Sequence, residues 1–485
     1  MSESIIADVV ARTAARCRNR GILIPTFAQQ RDPRLIPQSV QDELRTIGLW
    51  DVHPRNLFRI TWKNDPKTGL FGPVNRLEIP RELTGVRCRI IGLVGKYFPT
   101  GAHKVGASFG CLVPRLITGQ FDPTRQKAVW PSTGNYCRGG AFNSALLGCD
   151  SIAILPAEMS RERFEWLRSI GSEVIATPGC ESNVKEIYDK CHELVRTRGD
   201  EIVVLNQFDE FGNGLWHYEV TAPAIREVLE EVAGPSDRIA AYVSATGSAG
   251  TIAAGDRLKT WYPWCKVAAA EALQCPTLLR NGFGAHRIEG IGDKHVPWIH
   301  NTRNTDMVIA VDDADPMALI RLFNEPAGRE VLLRHGVPEE TVSKLDLLGI
   351  SGVGNLCAAI KCAKWLELDE HDIVFTIFTD SMELYASRLE EARAAEGPYD
   401  ATRAEVDLHM HLWGLKTDNM VELDMPGRRA IHNLKYYTWV EQQGKDVAEL
   451  NAQWESWRTY WPERFGRAAE YDKLIEQFNR LVMDA

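Results

Sequence analysis

Four short stretches bring together residue types that could handle a small charged molecule. "PTGAHKVGAS" sets Lys104 among small residues, directly after an apolar run. Small neighbours leave room for a bulky group to lie against the backbone, although a solvated lysine at a turn fits the same letters. "PSTGNYCRGGA" gathers Ser132, Thr133 and Asn135 around Gly134 ahead of a helical stretch. Hydroxyls, an amide and free N–H groups at a helix start make a carboxylate seat, or a plain N-cap. "SATGSAGTIAAG" holds a Gly-rich turn, Gly247, Ser248, Ala249, Gly250 and Thr251, whose N–H groups would attract a phosphate. It lacks the Lys-Ser/Thr ending of a nucleotide P-loop. "FTIFTDSMELY" ends an apolar run on Thr379, Asp380 and Ser381.

The elements that must position these stretches alternate. From about residue 85 to 385, β-branched and apolar runs ("CRIIGLVGKY", "SIAILP", "EVIATP", "EIVVLNQF", "RIAAYVSA", "KVAAAEA", "DMVIAV", "DIVFTIFTD") are separated by segments of helical period such as "SRERFEWLRSIG" and "TAPAIREVLEEV". Alternation of this kind predicts an α/β fold of parallel sheets covered on both faces. Ligands in such folds bind beyond the carboxyl ends of the strands, and all four stretches fall there. We expect an N-terminal extension over 1–75, a catalytic core over 76–395 with a smaller subdomain at about 125–215, and a helical extension over 396–485. In the last, "DVAELNAQWESWRTYW" predicts one amphipathic helix with an aromatic side that packs on the core or a second subunit.

Totals exclude several classes. A chain of 485 residues fits roughly two or three domain-sized units. Its net charge of -9 offers no basic excess for phosphates, so no nucleic-acid partner is expected. No run approaches the roughly 20 apolar residues of a membrane span, and the N-terminal segment lacks the apolar centre of a secretory signal. The 11 cysteines are scattered, without a CxxC pair. They predict reduced core thiols in a cytoplasmic protein and no structural metal site.

An amine, a carboxylate seat, a phosphate cradle and a strand-end hydroxyl suit one cofactor with an aldehyde, a phosphate and a ring nitrogen. Pyridoxal 5'-phosphate has these groups, and a lysine holds its aldehyde as a Schiff base. Lys104 would then need small neighbours because an aromatic ring lies against it. A rival reading takes the Gly-rich turn as a dinucleotide site. Gly247, Gly250 and Gly255 miss the usual spacing, but Glu271 falls about where a ribose-binding acid belongs, which would make a nicotinamide-dependent oxidoreductase. A non-enzymatic binding protein on the same fold would be marked by loss of the lysine, which is present here.

In these motifs the chain resembles the fold-type-II pyridoxal-phosphate enzymes: cysteine synthase, cystathionine β-synthase, threonine dehydratase and the tryptophan synthase β subunit. The likeness runs from roughly residue 72 to 390, with the motifs in the family's order. "PTGAHK" resembles the Schiff-base lysine segment, "STGNYCRGGAF" the loop whose Asn135 lies near the cofactor's phenolic oxygen, and "NQFDEFGNGLWHYEVTAPAI" the segment whose Gln207 helps hold the substrate carboxylate. "GSAGT" stands for the phosphate loop, "EGIGDKHVP" for the turn of Gly290 beside the ring, and "TDSMELY" for the segment whose Ser381 faces the pyridine nitrogen. "LLGISGVGNLCAAIK" resembles the family's Gly-rich helix start. The phosphate loop departs from the family at Ser248 and Ala249, usually Thr and Gly. Tyr136 and Arg138 replace small or neutral residues, and Ser132 stands where tryptophan synthase has a glutamate.

The resemblance implies two parallel-sheet α/β subdomains with the cofactor cleft between them, as in tryptophan synthase β, and a homodimer. It implies a substrate amino acid with a leaving group at Cβ, held by the Ser132–Thr133 loop and Gln207, and we expect Tyr136 and Arg138, where the chain departs from the family, to contact the substrate as well. Lys104 would be base on Cα, and an aminoacrylate would form by α,β-elimination. Release as keto acid and ammonia makes a lyase, the form that "GNYCRGGA" favours. Capture by a nucleophile makes a β-replacement synthase. Arg138, three residues after Asn135, could bind a second anion on the substrate, or serve a structural ion pair.

Overall fold

The computed structural model describes residues 5–132, 134–179, 183–292 and 294–483. Among the described residues, eleven strands form two sheets. They are β1 (Arg76–Ile79), β2 (Arg89–Val94), β3 (Lys127–Pro131), β4 (Ser151–Pro156), β5 (Glu173–Thr177), β6 (Ile202–Val204), β7 (Arg238–Ala245), β8 (Lys266–Ala272), β9 (Met307–Val311), β10 (Asp372–Phe378) and β11 (Met420–Glu422). The larger sheet runs β1-β2-β10-β7-β8-β9-β11 and the smaller β5-β4-β3-β6. Every residue of β4 and β10 is buried, as strands covered by helices on both faces must be.

Three strands escaped the sequence pattern. β3 is short and ends on Pro131, yet it is an interior strand of the smaller sheet, parallel to both β4 and β6. Its proline lies beyond the residues paired with β6, Lys127–Val129, so the missing N–H takes no bond from that ladder. β1 and β11 run antiparallel to β2 and β9, so the larger sheet is not wholly parallel. Both are edge strands that shield the neighbouring strand's free hydrogen-bonding groups.

The helix expected over 446–461 is in fact two, Val447–Glu455 and Trp457–Phe465, broken at Ser456. The break wraps the chain around Arg303, whose guanidinium lies 4.9 Å from the Trp454 ring and 5.0 Å from that of Trp457. Trp461 packs against Phe211 and Phe465, so the aromatic side does face the core. The two ends of the chain also pack together. Asp472, on helix Ala468–Met483, accepts the N–H groups of Phe27 (2.6 Å) and Ala28 (3.1 Å). The cysteines among the described residues are buried free thiols, and no described helix is long and apolar enough to cross a membrane.

Candidate active site

Lys104 is the first residue of a buried helix, Lys104–Thr118, entered from the turn after β2. Its Nζ donates to Ser248 Oγ (3.0 Å) and Gln207 Oε1 (3.4 Å), both neutral oxygens. Behind it His103 is fully buried, edge-to-face with His217 at 5.0 Å and tilted over Trp62 at 5.5 Å. Burial, with the Lys104 charge beside it, holds His103 well below the usual imidazole range. Both rings therefore stay neutral and add no positive charge next to the amine.

Two adjoining cavities meet at Lys104 and share Gly247, Ser248, Gly290 and Thr379 as walls. Ala249, Thr251 and Asn355 complete one; Ser132, Asn135, Tyr136, Gln207 and Phe208 complete the other. The predicted residues thus converge from both sheets onto one amine. Ser132 Oγ accepts Gly134 N–H (3.1 Å) and Gln207 Nε2 (3.2 Å), which fixes the expected carboxylate seat. Tyr136 spends its hydroxyl on the Leu205 carbonyl (3.2 Å) and stands as a wall. Gly250, Arg138 and Ser381 are not lining residues of either cavity; at the β10 end the lining residue is Thr379. Thr133 lies outside the described residues. A roomier cavity of about 710 Å³ opens between the Lys104 helix and the C-terminal helices, but its charges pair internally, Arg115 with Glu210 and Lys445 with Asp209.

Sequence reasoning missed the group that fixes Asn135. Its Nδ2 donates to Asp380 Oδ2 at 2.6 Å, and Tyr385 donates to the same oxygen at 2.7 Å. Arg163 donates to Tyr385 (2.8 Å) and pairs with Glu289 (3.0 Å), the residue before Gly290. Burial pushes the Asp380 carboxyl up, and Tyr385, Arg163 and Asn135 pull it back. The only local signal was Asp380's place at a strand end, since Arg163 and Glu289 read as ordinary surface residues. Arg138 stacks on Trp166 at 4.1 Å, and no carboxylate among the described residues pairs with it.

Glu271 is spent elsewhere. Its buried carboxylate accepts the N–H groups of Leu278 and Leu279, both at 2.9 Å. That removes the ribose-binding acid on which the nicotinamide reading rested. Burial raises its pKa from 4.5 to about 7. The folded protein therefore favours the protonated acid. This group's share of stability is intact below pH 4.5 and is lost as pH climbs through about 7. Thermal melts of Glu271→Gln against pH should fall less steeply over that range than those of the parent; equal slopes would show that Glu271 does not titrate there.

The chain fits pyridoxal phosphate on its own features. Gly247 and Gly290 face each other so closely that a Cβ on Gly247 would sit 3.3 Å from the Gly290 carbonyl oxygen, a cradle open only to backbone. Ala249 holds a left-handed φ of 59°, which turns the loop's N–H groups. Asn135 Oδ1 is buried without a hydrogen-bond partner at the cavity wall.

Comparison with known proteins agrees. Residues 95–332 match the family model "Pyridoxal-phosphate dependent enzyme". A cysteine synthase of Staphylococcus aureus is 30% identical over 260 residues, 53% of this chain and 75% of that protein. A probable cysteine synthase of Bacillus subtilis is 29% identical over 290 residues, 60% of this chain and 85% of the relative. The cystathionine beta-synthase of Saccharomyces cerevisiae is 25% identical over 319 residues, 64% of this chain and 59% of that one. In fold, the chain is similar to a cysteine synthase of Entamoeba histolytica, with a TM-score of 0.58 at 21% identity, covering 72% of this chain and 97% of that one. A hydrogen sulfide-producing enzyme of Fusobacterium nucleatum gives a TM-score of 0.54 at 24% identity, covering 64% and 95%. The cofactor is pyridoxal 5'-phosphate, and the chain belongs to the pyridoxal-phosphate-dependent enzymes of the cysteine synthase and cystathionine β-synthase family.

Proposed function

We propose that this enzyme is a lyase that eliminates a leaving group from Cβ of an amino acid; the aminoacrylate it releases tautomerises to an imine, which bulk water hydrolyses to keto acid and ammonia. The observation that carries the reading is the Lys104 amine, placed where the Gly247–Thr251 turn, the Ser132 loop and Gln207 converge. When bound, the cofactor supplies an aldehyde for the substrate amine and a ring that accepts the electron pair left at Cα. The Gly247–Thr251 N–H groups would hold its phosphate, and Asn135, Gly290 and Ser381 would flank its ring. Ser132 and Gln207 orient the substrate carboxylate, while Phe208 and Tyr136 exclude water. Lys104 Nζ takes the proton from Cα, and the Cα–Hσ electron pair becomes the Cα–Cβ double bond as the leaving group departs with its own pair.

A β-replacement synthase needs room for a second nucleophile beside the substrate. Tyr136 and Phe208 are buried lining residues here, and the "GNYCRGGA" form of the loop is what favours elimination. Keto-acid release from a β-substituted amino acid, followed with and without an added thiol, tests this. Release unchanged by thiol supports the lyase; a thiol-dependent rate yielding a thioether amino acid would make it a synthase.

On the resemblance of "TDSMELY", and not on the cavity lining, where Thr379 stands at this strand end, Ser381 is assigned one hydrogen bond to the ring nitrogen. Ser381→Ala should retain the cofactor and lose about 0.5–1.5 kcal/mol of transition-state stabilisation, roughly a two- to thirteenfold drop in kcat. Loss of cofactor from the folded variant would refute so limited a role.

A further inference from the structure

Arg138 is a cation without a counter-ion. It is 9% exposed, and its Nε is buried with no hydrogen-bond partner. Its described contact is the face of Trp166, 4.1 Å away. Beside it lies a second buried guanidinium, Arg163, already committed to Tyr385 and Glu289. Burial and the Arg163 charge pull Arg138 down to about 10, and the Asp380 and Glu383 charges offset this only in part. Asp380, the first carboxylate to act on it, has Oδ2 occupied by Asn135 and Tyr385, while its buried Oδ1 accepts no hydrogen bond, from Arg138 or from any other described residue. Glu383, the second, is 71% exposed and pairs with Lys96 at 3.4 Å. Buried charges are ordinarily paired, because leaving one unpaired costs its full desolvation.

Position gives the missing partner a place. Arg138 is on the first turn of helix Asn135–Leu146, one turn from Asn135 at the cavity wall. Arg163, on helix Arg161–Ser169, packs against the carboxylate loop so tightly that a Cβ on Gly134 would lie 2.2 Å from its Nη1. Trp166 supports the flat face of Arg138, which leaves the guanidinium edge for bidentate contact.

We propose that Arg138, backed by Arg163, is an anion subsite between these two helices and takes a carboxylate, sulfonate or phosphate. The anion is either a second acidic group on the substrate side chain or a free inorganic ion. The first source rests on the elimination reading; the second does not.

The test uses the holoenzyme, its Arg138→Gln variant and the charge-preserving Arg138→Lys. Sulfate is titrated calorimetrically into each, and keto-acid release is compared for an acidic and a neutral β-substituted amino acid. We expect saturable sulfate binding to the parent, weakened at least tenfold in Arg138→Lys and lost in Arg138→Gln. If the substrate supplies the anion, the acidic-to-neutral ratio of kcat/KM falls at least tenfold in Arg138→Gln, and sulfate competes with the acidic substrate alone. If a free ion supplies it, sulfate binds while that ratio stays fixed. Should the parent turn over neither substrate, the elimination reading fails while the titration still reads the subsite. No saturable sulfate binding and no change of ratio, in variants that keep the cofactor absorbance, would overturn the proposal and leave Arg138 a partner of Trp166 only. If Arg138→Gln does not fold, Arg138→Lys carries the same test.

Discussion

Lys104→Ala should lower kcat by at least ~10³-fold, within the range a positioned general base supplies, and should also end covalent attachment of the cofactor. Borohydride reduction of the parent should fix the cofactor on the peptide containing Lys104, and reduction of the variant should fix it nowhere. The fold should survive. Lys104 starts its helix, and the bonds its Nζ makes to Ser248 and Gln207 are to neutral oxygens; Asn213 also donates to Ser248 Oγ, and Gln207 stays tied through its Nε2, which donates to Ser132 Oγ. A labelled peptide lacking Lys104, or a variant retaining a tenth of parental turnover, would remove Lys104 from the chemistry and with it the reading of the site.

Gly250→Asp should strip the cofactor. A Cβ at Gly250 would lie 1.9 Å from Asn213 Oδ1. Asn213 Nδ2 in turn holds the Gln207 carbonyl and Ser248 Oγ, both at 2.9 Å. The substitution thus displaces the Gly-rich turn and the Gln207 segment together, and it sets a carboxylate where a phosphate is to bind. A buried unpaired charge alone costs several kcal/mol, so cofactor retained after gel filtration should fall by more than tenfold. Gly250→Ala separates the two effects, since it brings the collision without the charge and should weaken retention less. Stoichiometric cofactor in both variants would exclude this turn as the phosphate site.

Much of this architecture was legible in the sequence because burial of a parallel strand is a local property. An interior strand needs apolar side chains on both faces, so β4, β7, β8 and β10 read directly from their letters. The motifs were legible for a related reason. A turn that must admit a phosphate or an aromatic ring excludes large side chains, and "GSAGT" and "PTGAHK" show that exclusion. Where a second requirement competed, the signal failed. β3 ends on a proline, β1 and β11 are too short for a period, and the helix at 446–461 breaks to enclose Arg303.

The sequence by itself thus determined the fold class, the cofactor and which turns gather about Lys104. Only the tertiary structure decided how those turns are held. Asn135 meets Asp380 across 245 positions, and Arg163 meets Tyr385 across 222. Glu271 is consumed by two backbone N–H groups, and Arg138 is left on Trp166 without a counter-charge. Spacing along the chain cannot encode such pairings. A buried charge takes its partner from whatever group the folded sheets bring within about 3 Å, and that distance is fixed only when both sheets have closed on one cavity.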